Sequence, residues 1–208
     1  MTKYTFISDV HIGSNEARLD DFKEAINNKK NKNIIICGDL FDCGLRGDMR
    51  FSQDMTVEES IEEAVNILKG TKRVVGFITG NHEQRIIKET SLDPLKILAD
   101  RLKKSYMGSW CEIDDIFVTH GLGGAQTVEG EFNRWLKFSS AKYLVKGHTH
   151  KLYYHPFPTF SDMRIAIVTG CMKVESDWEM RRGFTCVAGY VRLDISKSWY
   201  QSVELVGL

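Results

Sequence analysis

The chain is 208 residues long, 42% apolar and 27% charged, and its 28 Lys and Arg balance 28 Asp and Glu for a formal charge of zero. That length supports one sizeable hydrophobic core and is short for two, so a single domain over 1–208 is expected. The composition excludes a disordered or fibrous chain, and the charge balance removes nucleic acid or an acidic membrane as an obligate electrostatic partner.

Taken in chain order, residues 3–8 read as a buried strand that runs into Asp9-Val10-His11. A helical pattern over 17–30 carries Leu19, Phe22 and Ile26 on one face, and the apolar run 33–37 leads into Gly38-Asp39-Leu40-Phe41-Asp42. The polar loop 43–56 precedes a helix over 57–69, with Thr56 and Glu59 placed as a capping box and Gly70 as the stop signal. Strand 73–79 enters Gly80-Asn81-His82-Glu83, and Asp93 caps a helix over 94–103 that has Pro94 at its first position. Strand 113–119 enters His120-Gly121. Phe132, Trp135 and Phe138 follow at helical spacing, which predicts a core-facing stripe within 122–140. Strand 141–145, continued by Lys146, leads into Gly147-His148-Thr149-His150, and three more strands are expected at 163–168, 183–193 and 199–206. The strand–helix alternation of the first 120 residues predicts parallel strands, and the helix-poor remainder a more antiparallel, β-rich second half.

Five polar clusters therefore follow five strands, and in open α/β sheets the crevice beyond the carboxyl ends of strands is where ligands bind. Five of the six histidines (His11, His82, His120, His148, His150) lie in these clusters and only His155 lies outside. Imidazole with carboxylate and amide oxygen is the ligand mix of a catalytic divalent transition-metal site, and no thiol occupies a cluster ligand position. In Asp9-x-His11 and His148-x-His150 the intervening residue lets both flanking side chains project to one side of an extended chain. The five cysteines (Cys37, Cys43, Cys111, Cys171, Cys186) are scattered with no C-x-x-C, which predicts free thiols in a reducing cytoplasm. No apolar run approaches the ~20 residues that a spanning helix needs, and the first residues turn polar too early for a secretory h-region. A cytoplasmic protein with no membrane partner is expected.

In this order the blocks D-x-H, G-D-x-x-D, G-N-H-E, H-G and G-H-x-H, spanning residues 9–150, resemble the calcineurin-like metallophosphoesterase superfamily. The resemblance implies an α/β fold, a four-layer α/β/β/α sandwich with two mixed β-sheets, and two divalent metal ions at the strand ends. It also implies Asp9, His11 and His150 as ligands of the first ion, Asn81, His120 and His148 as ligands of the second, and Asp39 as the bridging carboxylate. The implied reaction is hydrolysis of a phosphoester by metal-activated hydroxide, with His82 as general acid and Asp42 as the carboxylate that orients it. Mn(II) is the expected ion, and mixed N/O ligation also suits Fe, Zn, Co or Ni.

One departure bears on the substrate. The serine/threonine protein phosphatases continue the second block as G-D-x-V-D-R-G and hold phosphate with its Arg, whereas this chain has Cys43 there. A thiol cannot supply a bidentate grip, which favours phosphodiesters or a different clamp, with Arg46 and Arg50 as local substitutes. Residues 151–183 carry Tyr153, Tyr154, Phe157, Phe160, Trp178, Arg181 and Arg182, a mixture that can stack bases and hold phosphates, so a nucleotide or nucleic-acid substrate is one expectation. The alternatives are a phosphomonoesterase acting on protein or nucleotide, and a non-catalytic scaffold with the same fold. The sequence carries no signal for oligomeric state.

Overall fold

The computed structural model of the chain describes residues 2–44, 54–121, 128–159 and 162–208. In chain order its elements are β1 (Lys3–Ile7), α1 (Leu19–Asn27), β2 (Ile34–Cys37), α2 (Val57–Leu68), β3 (Val74–Ile78), α3 (Asn81–Thr90), α4 (Pro94–Leu102), β4 (Ser105–Tyr106), β5 (Trp110–Ile113) and β6 (Ile116–Thr119). There follow α5 (Val128–Phe138), β7 (Tyr143–Lys146), β8 (Leu152–Pro158), β9 (Met163–Thr169), α6 (Asp177–Arg181), β10 (Gly189–Asp194), α7 (Trp199–Ser202) and β11 (Val203–Gly207).

Two mixed sheets result. The first has the order β11-β10-β1-β2-β3-β4, with β1 to β4 parallel and β10 antiparallel to β1. The second has the order β5-β6-β7-β9-β8, parallel through β6, β7 and β9 and closed by antiparallel edge strands. Side chains alternate across the strands, so the apolar runs feed two cores at once. Tyr4, Phe6, Ile35 and Cys37 face the second sheet and pack with Val118, Val145 and Ile167, while Ile7, Ile34 and Ile36 face outward onto Phe22 and Ile26 of α1, Ile61 and Ala64 of α2 and Leu98 of α4. Phe132 of α5 packs with Leu144 and Ala166 on the outer face of the second sheet. Helix, sheet, sheet and helix thus stack in four layers around three apolar seams.

Local signals explain most boundaries. The Thr56–Glu59 capping box forms at α2 as expected, and the Asp93 carboxylate accepts from the Leu95 and Lys96 amides at the start of α4. Five expectations need correction. Residues 113–119 are not one strand: Asp114 and Asp115 turn the chain between β5 and β6, with Asp114 at a φ of 52°. The strand expected over 183–193 begins only at Gly189, and the segment 199–206 divides into the short α7 and β11. β8 went unpredicted because it carries Pro156 and Pro158; it lies at a sheet edge, where a missing N–H is tolerated. Helix α3 went unpredicted because its first turn, Asn81-His82-Glu83-Gln84, is polar.

All five cysteines are free. Among the described residues no helix is long and apolar enough to cross a membrane. Arg46, Arg50 and Phe160 lie outside the described residues. Phe132 is buried as expected of a core stripe, but Phe138, at the end of α5, is largely exposed.

Candidate metal centre

Because β1, β2 and β3 are parallel in one sheet and β6 and β7 in the other, their carboxyl ends lie together, and the five polar clusters meet there. The backbone is locked across both sheets. The Asp9 and Val10 amides donate to Gly38 and Asp39 carbonyls at 3.1 and 2.9 Å, the His82 amide donates to Asp39 Oδ1 at 2.8 Å, and the His148 amide to Asp9 Oδ2 at 2.9 Å. Asp9, His11, Asp39, His148 and His150 all adopt left-handed φ values between 48° and 73°. Such conformations cost on the order of 1–3 kcal/mol each for non-glycine residues and persist where the surroundings over-determine them. Glycine is required between them: a Cβ at Gly38, itself at a φ of 91°, would overlap the His120 ring, and one at Gly147 would overlap Ser8 Oγ beneath Asp9.

The structure brings all nine predicted residues into this one centre. Asp9, His11 and His150 form one group of donor atoms, Asp39, His120 and His148 a second, and His11, Asp39 and His82 a third, each with its atoms within 4.8 Å of one another. Asp9 Oδ1 lies 3.3 Å from His150 Nε2 and 3.9 Å from both His11 Nε2 and His120 Nε2. Asp39 Oδ2 lies 3.1 Å from His120 Nε2 and 3.8 Å from His82 Nε2, and Asn81 Oδ1 is 3.0 Å from His120 Nε2. Asp42 is shared: its carboxylate is 3.1 Å from His11 Nδ1 and 3.5 Å from His82 Nδ1, while its carbonyl takes His82 Nδ1 at 2.6 Å. The sequence reading gave that carboxylate to His82 alone.

These residues fit divalent cations. Asp9 Oδ1 and His11 Nε2 are buried, face the other donors and have no hydrogen-bond partner, which is expensive for buried polar atoms unless a cation completes them. The outer nitrogens of three imidazoles are held by acceptors, His11 by Asp42, His120 by the Cys37 carbonyl at 2.8 Å and His150 by Glu179 at 2.9 Å. That arrangement fixes the ring and turns Nε2 inward, as in carboxylate–histidine–metal triads. Burial and neighbouring His82 push His11 down to about 4, and burial and His120 push His148 to about 4, so both present lone pairs at neutral pH. Burial works against a charge on His120, yet Asp39 and Asp9 outweigh it and raise the ring to about 9. The negative potential responsible is the one a pair of divalent ions would neutralise.

Three residues were given no role by sequence reasoning. Glu83 is fully buried, and its carboxylate accepts from the Asp39, Phe41 and Gly80 amides at 3.1, 3.0 and 2.8 Å, stapling the loops that follow β2 and β3. Glu179 turns one oxygen to His150 and the other to Lys173 Nζ at 2.7 Å and the Ser176 amide at 2.8 Å. Its one signal was the Ser176-x-x-Glu179 capping-box spacing at α6. Arg85 places Nη2 3.0 Å from His82 Nε2. A cleft of about 540 Å³ opens at the centre, and His82, Arg85, His150, Trp178 and Phe184 are among the residues that line it.

A family model described as calcineurin-like phosphoesterase matches residues 2–152. No curated protein sequence gives a significant match. Among solved structures, a novel archaeal phosphodiesterase is 18% identical with a TM-score of 0.57, the alignment covering 99% of both chains. A metallophosphoesterase from Sphaerobacter thermophilus is 16% identical with a TM-score of 0.59, covering 99% of this chain and 88% of the other. Vps29 from Entamoeba histolytica, complexed with Zn²⁺, is 17% identical with a TM-score of 0.52, covering 99% of this chain and 98% of its own. At these identities the likeness is one of fold.

Proposed function

We propose that this chain, which belongs to the calcineurin-like phosphoesterase family, is a binuclear metal-dependent hydrolase that favours phosphodiesters. The observation that carries the reading is the convergence of Asp9, His11, Asp39, Asn81, His120, His148 and His150 on one buried centre in which Asp9 Oδ1 and His11 Nε2 lack partners. Asp9, His11 and His150 would hold one ion, Asn81, His120 and His148 the other, and Asp39, a member of two donor groups, would bridge them. When bound, divalent ions such as Mn(II) would neutralise phosphoryl oxygens and lower the pKa of water toward neutrality.

The chain's own residues supply the rest. Asp42 and Glu179 hold His11 and His150 in their inward orientation, and the backbone locks between the two sheets keep the strand ends in register. His82 donates from Nδ1 to the Asp42 carbonyl and turns Nε2 toward the cleft beside Asp39. Burial opposes its charge, but Asp39 and Asp42 outweigh that and raise its pKa, which suits a group that delivers a proton to the leaving oxygen. Cys43 is buried and its thiol pushed well up by that burial, so no charge stands where phosphatases place Arg. A singly charged diester asks less of the site than a dianionic monoester. Trp178 and Phe184, with centroids 5.9 Å apart and the Arg182 guanidinium 4.4 Å from the Trp178 ring, give the cleft a wall suited to a nucleoside portion of the substrate.

The test is His82→Ala, loaded with metal and assayed on aryl, alkyl and nucleoside phosphodiesters. It is expected to keep both ions, to lose about 10²–10⁴-fold in turnover on alkyl leaving groups, and to lose little on good aryl ones. Loss of metal in this variant would remove His82 from the acid role. In the same series, a KM for nucleoside diesters no lower than for simple alkyl diesters would count against the aromatic wall.

A further inference from the structure

We propose that Arg85 is the residue that grips the substrate's phosphoryl group; this rests on the phosphoesterase reading above. Arg85 follows His82 by three residues on α3, so the two side chains share one helix face. Its Nη2 is 3.0 Å from His82 Nε2, and both residues line the cleft over the metal-ligand candidates. His82 Nδ1 meets the Asp42 carbonyl at 2.6 Å, which makes Nδ1 the donor and leaves Nε2 to accept from the guanidinium. A guanidinium at this place can meet a phosphoryl oxygen beside His82 through a charge-assisted bond.

The station is well chosen for that grip. His82 Nε2 lies 3.8 Å from Asp39 Oδ2, so the guanidinium stands one residue away from the carboxylate that two donor groups share. Among the other described cations lining the cleft, Lys173 is bound to Glu179 at 2.7 Å, and Lys151 is exposed. Cys43 offers a buried neutral thiol, so Arg85 fills the vacancy in charge that the second sequence block leaves. A planar guanidinium matches two oxygens of one phosphoryl group, and one such cation balances the single charge of a diester.

The experiment compares metal-loaded wild type, Arg85→Ala and Arg85→Lys in calorimetric titrations with inorganic phosphate, alongside metal content and steady-state hydrolysis of a chromogenic phosphodiester. With both ions retained, Arg85→Ala is expected to bind phosphate about 10–100-fold more weakly, the range for losing a hydrogen bond to a charged group. KM should rise by a similar factor and kcat should change less, and Arg85→Lys should recover part of the phosphate affinity. Phosphate affinity in Arg85→Ala within twofold of wild type overturns the proposal. So does loss of metal in both variants, which would make Arg85 a support of the centre. Should wild type bind phosphate with two ions yet hydrolyse nothing, the phosphoesterase reading fails by itself, and the phosphate comparison still decides the role of Arg85.

Discussion

Asp39→Asn is expected to lower turnover by at least about 10²–10³-fold and to weaken both metal sites, while the metal-free protein still folds. Asp39 belongs to two of the donor groups, as His11 does, and its Oδ2 faces His120 and His82. The amide of Asn keeps the volume, so packing survives, and its oxygen can still accept from the His82 amide. What disappears is a buried negative charge: burial works against it, yet His120 and His82 outweigh that and hold the Asp39 carboxyl well below the ordinary carboxylate range, while Asp39 in turn raises Asp9. Metal content by mass spectrometry, thermal melts with and without Mn(II), and turnover together check this. A large fall in the metal-free melting temperature would mean that Asp39 serves the fold first.

Glu83→Ala should act first on stability, with a loss of about 3–9 kcal/mol from three buried amides left without an acceptor at roughly 1–3 kcal/mol each. For a chain of this size that is a fall of roughly 6–36 °C in melting temperature, at about 2–4 °C per kcal/mol. The carboxylate ties the amides of Asp39 and Phe41, beyond β2, to that of Gly80, at the start of α3. Without it the loop that aims Asp39 and the turn that aims Asn81 and His82 lose their common anchor, so metal affinity should fall along with stability. Glu83→Gln keeps one carbonyl oxygen but sets an NH₂ against a donor, and should lie between. A melt of Glu83→Ala within a few degrees of wild type would remove this staple from the account.

The contrast between these two carboxylates explains what was legible in the sequence. Asp39 stands in a block whose residue types and order point directly to metal chemistry, and the left-handed backbone at Asp9, His11, Asp39, His148 and His150 was implied only by the glycines around them. Glu83 belongs to an equally visible block, yet its role depends on three amides from two loops, a tertiary fact with no local pattern. Arg85 was hidden for a related reason: α3 carries little apolar periodicity at its start, so the helix that sets Arg85 beside His82 was not predicted. Glu179 lies 29 residues from the imidazole that it holds. The strands were readable because β1, β2, β3, β6 and β7 are buried on both faces and remain apolar throughout, save for polar residues such as Thr5 and Lys146. Half-exposed β8, with its two prolines, was not.

The central claim, a two-ion centre that hydrolyses phosphoesters, is tested most directly by counting metal and hydrolysis on the same sample. Chelator-stripped protein is titrated with Mn(II), bound metal is quantified, and a chromogenic phosphodiester and its matching monoester are assayed at each step. The account predicts saturation at two ions per chain, with hydrolysis absent from the stripped protein, rising as the second ion binds, and faster on the diester. Two bound ions with neither ester hydrolysed, or hydrolysis undiminished in the stripped protein, would contradict it.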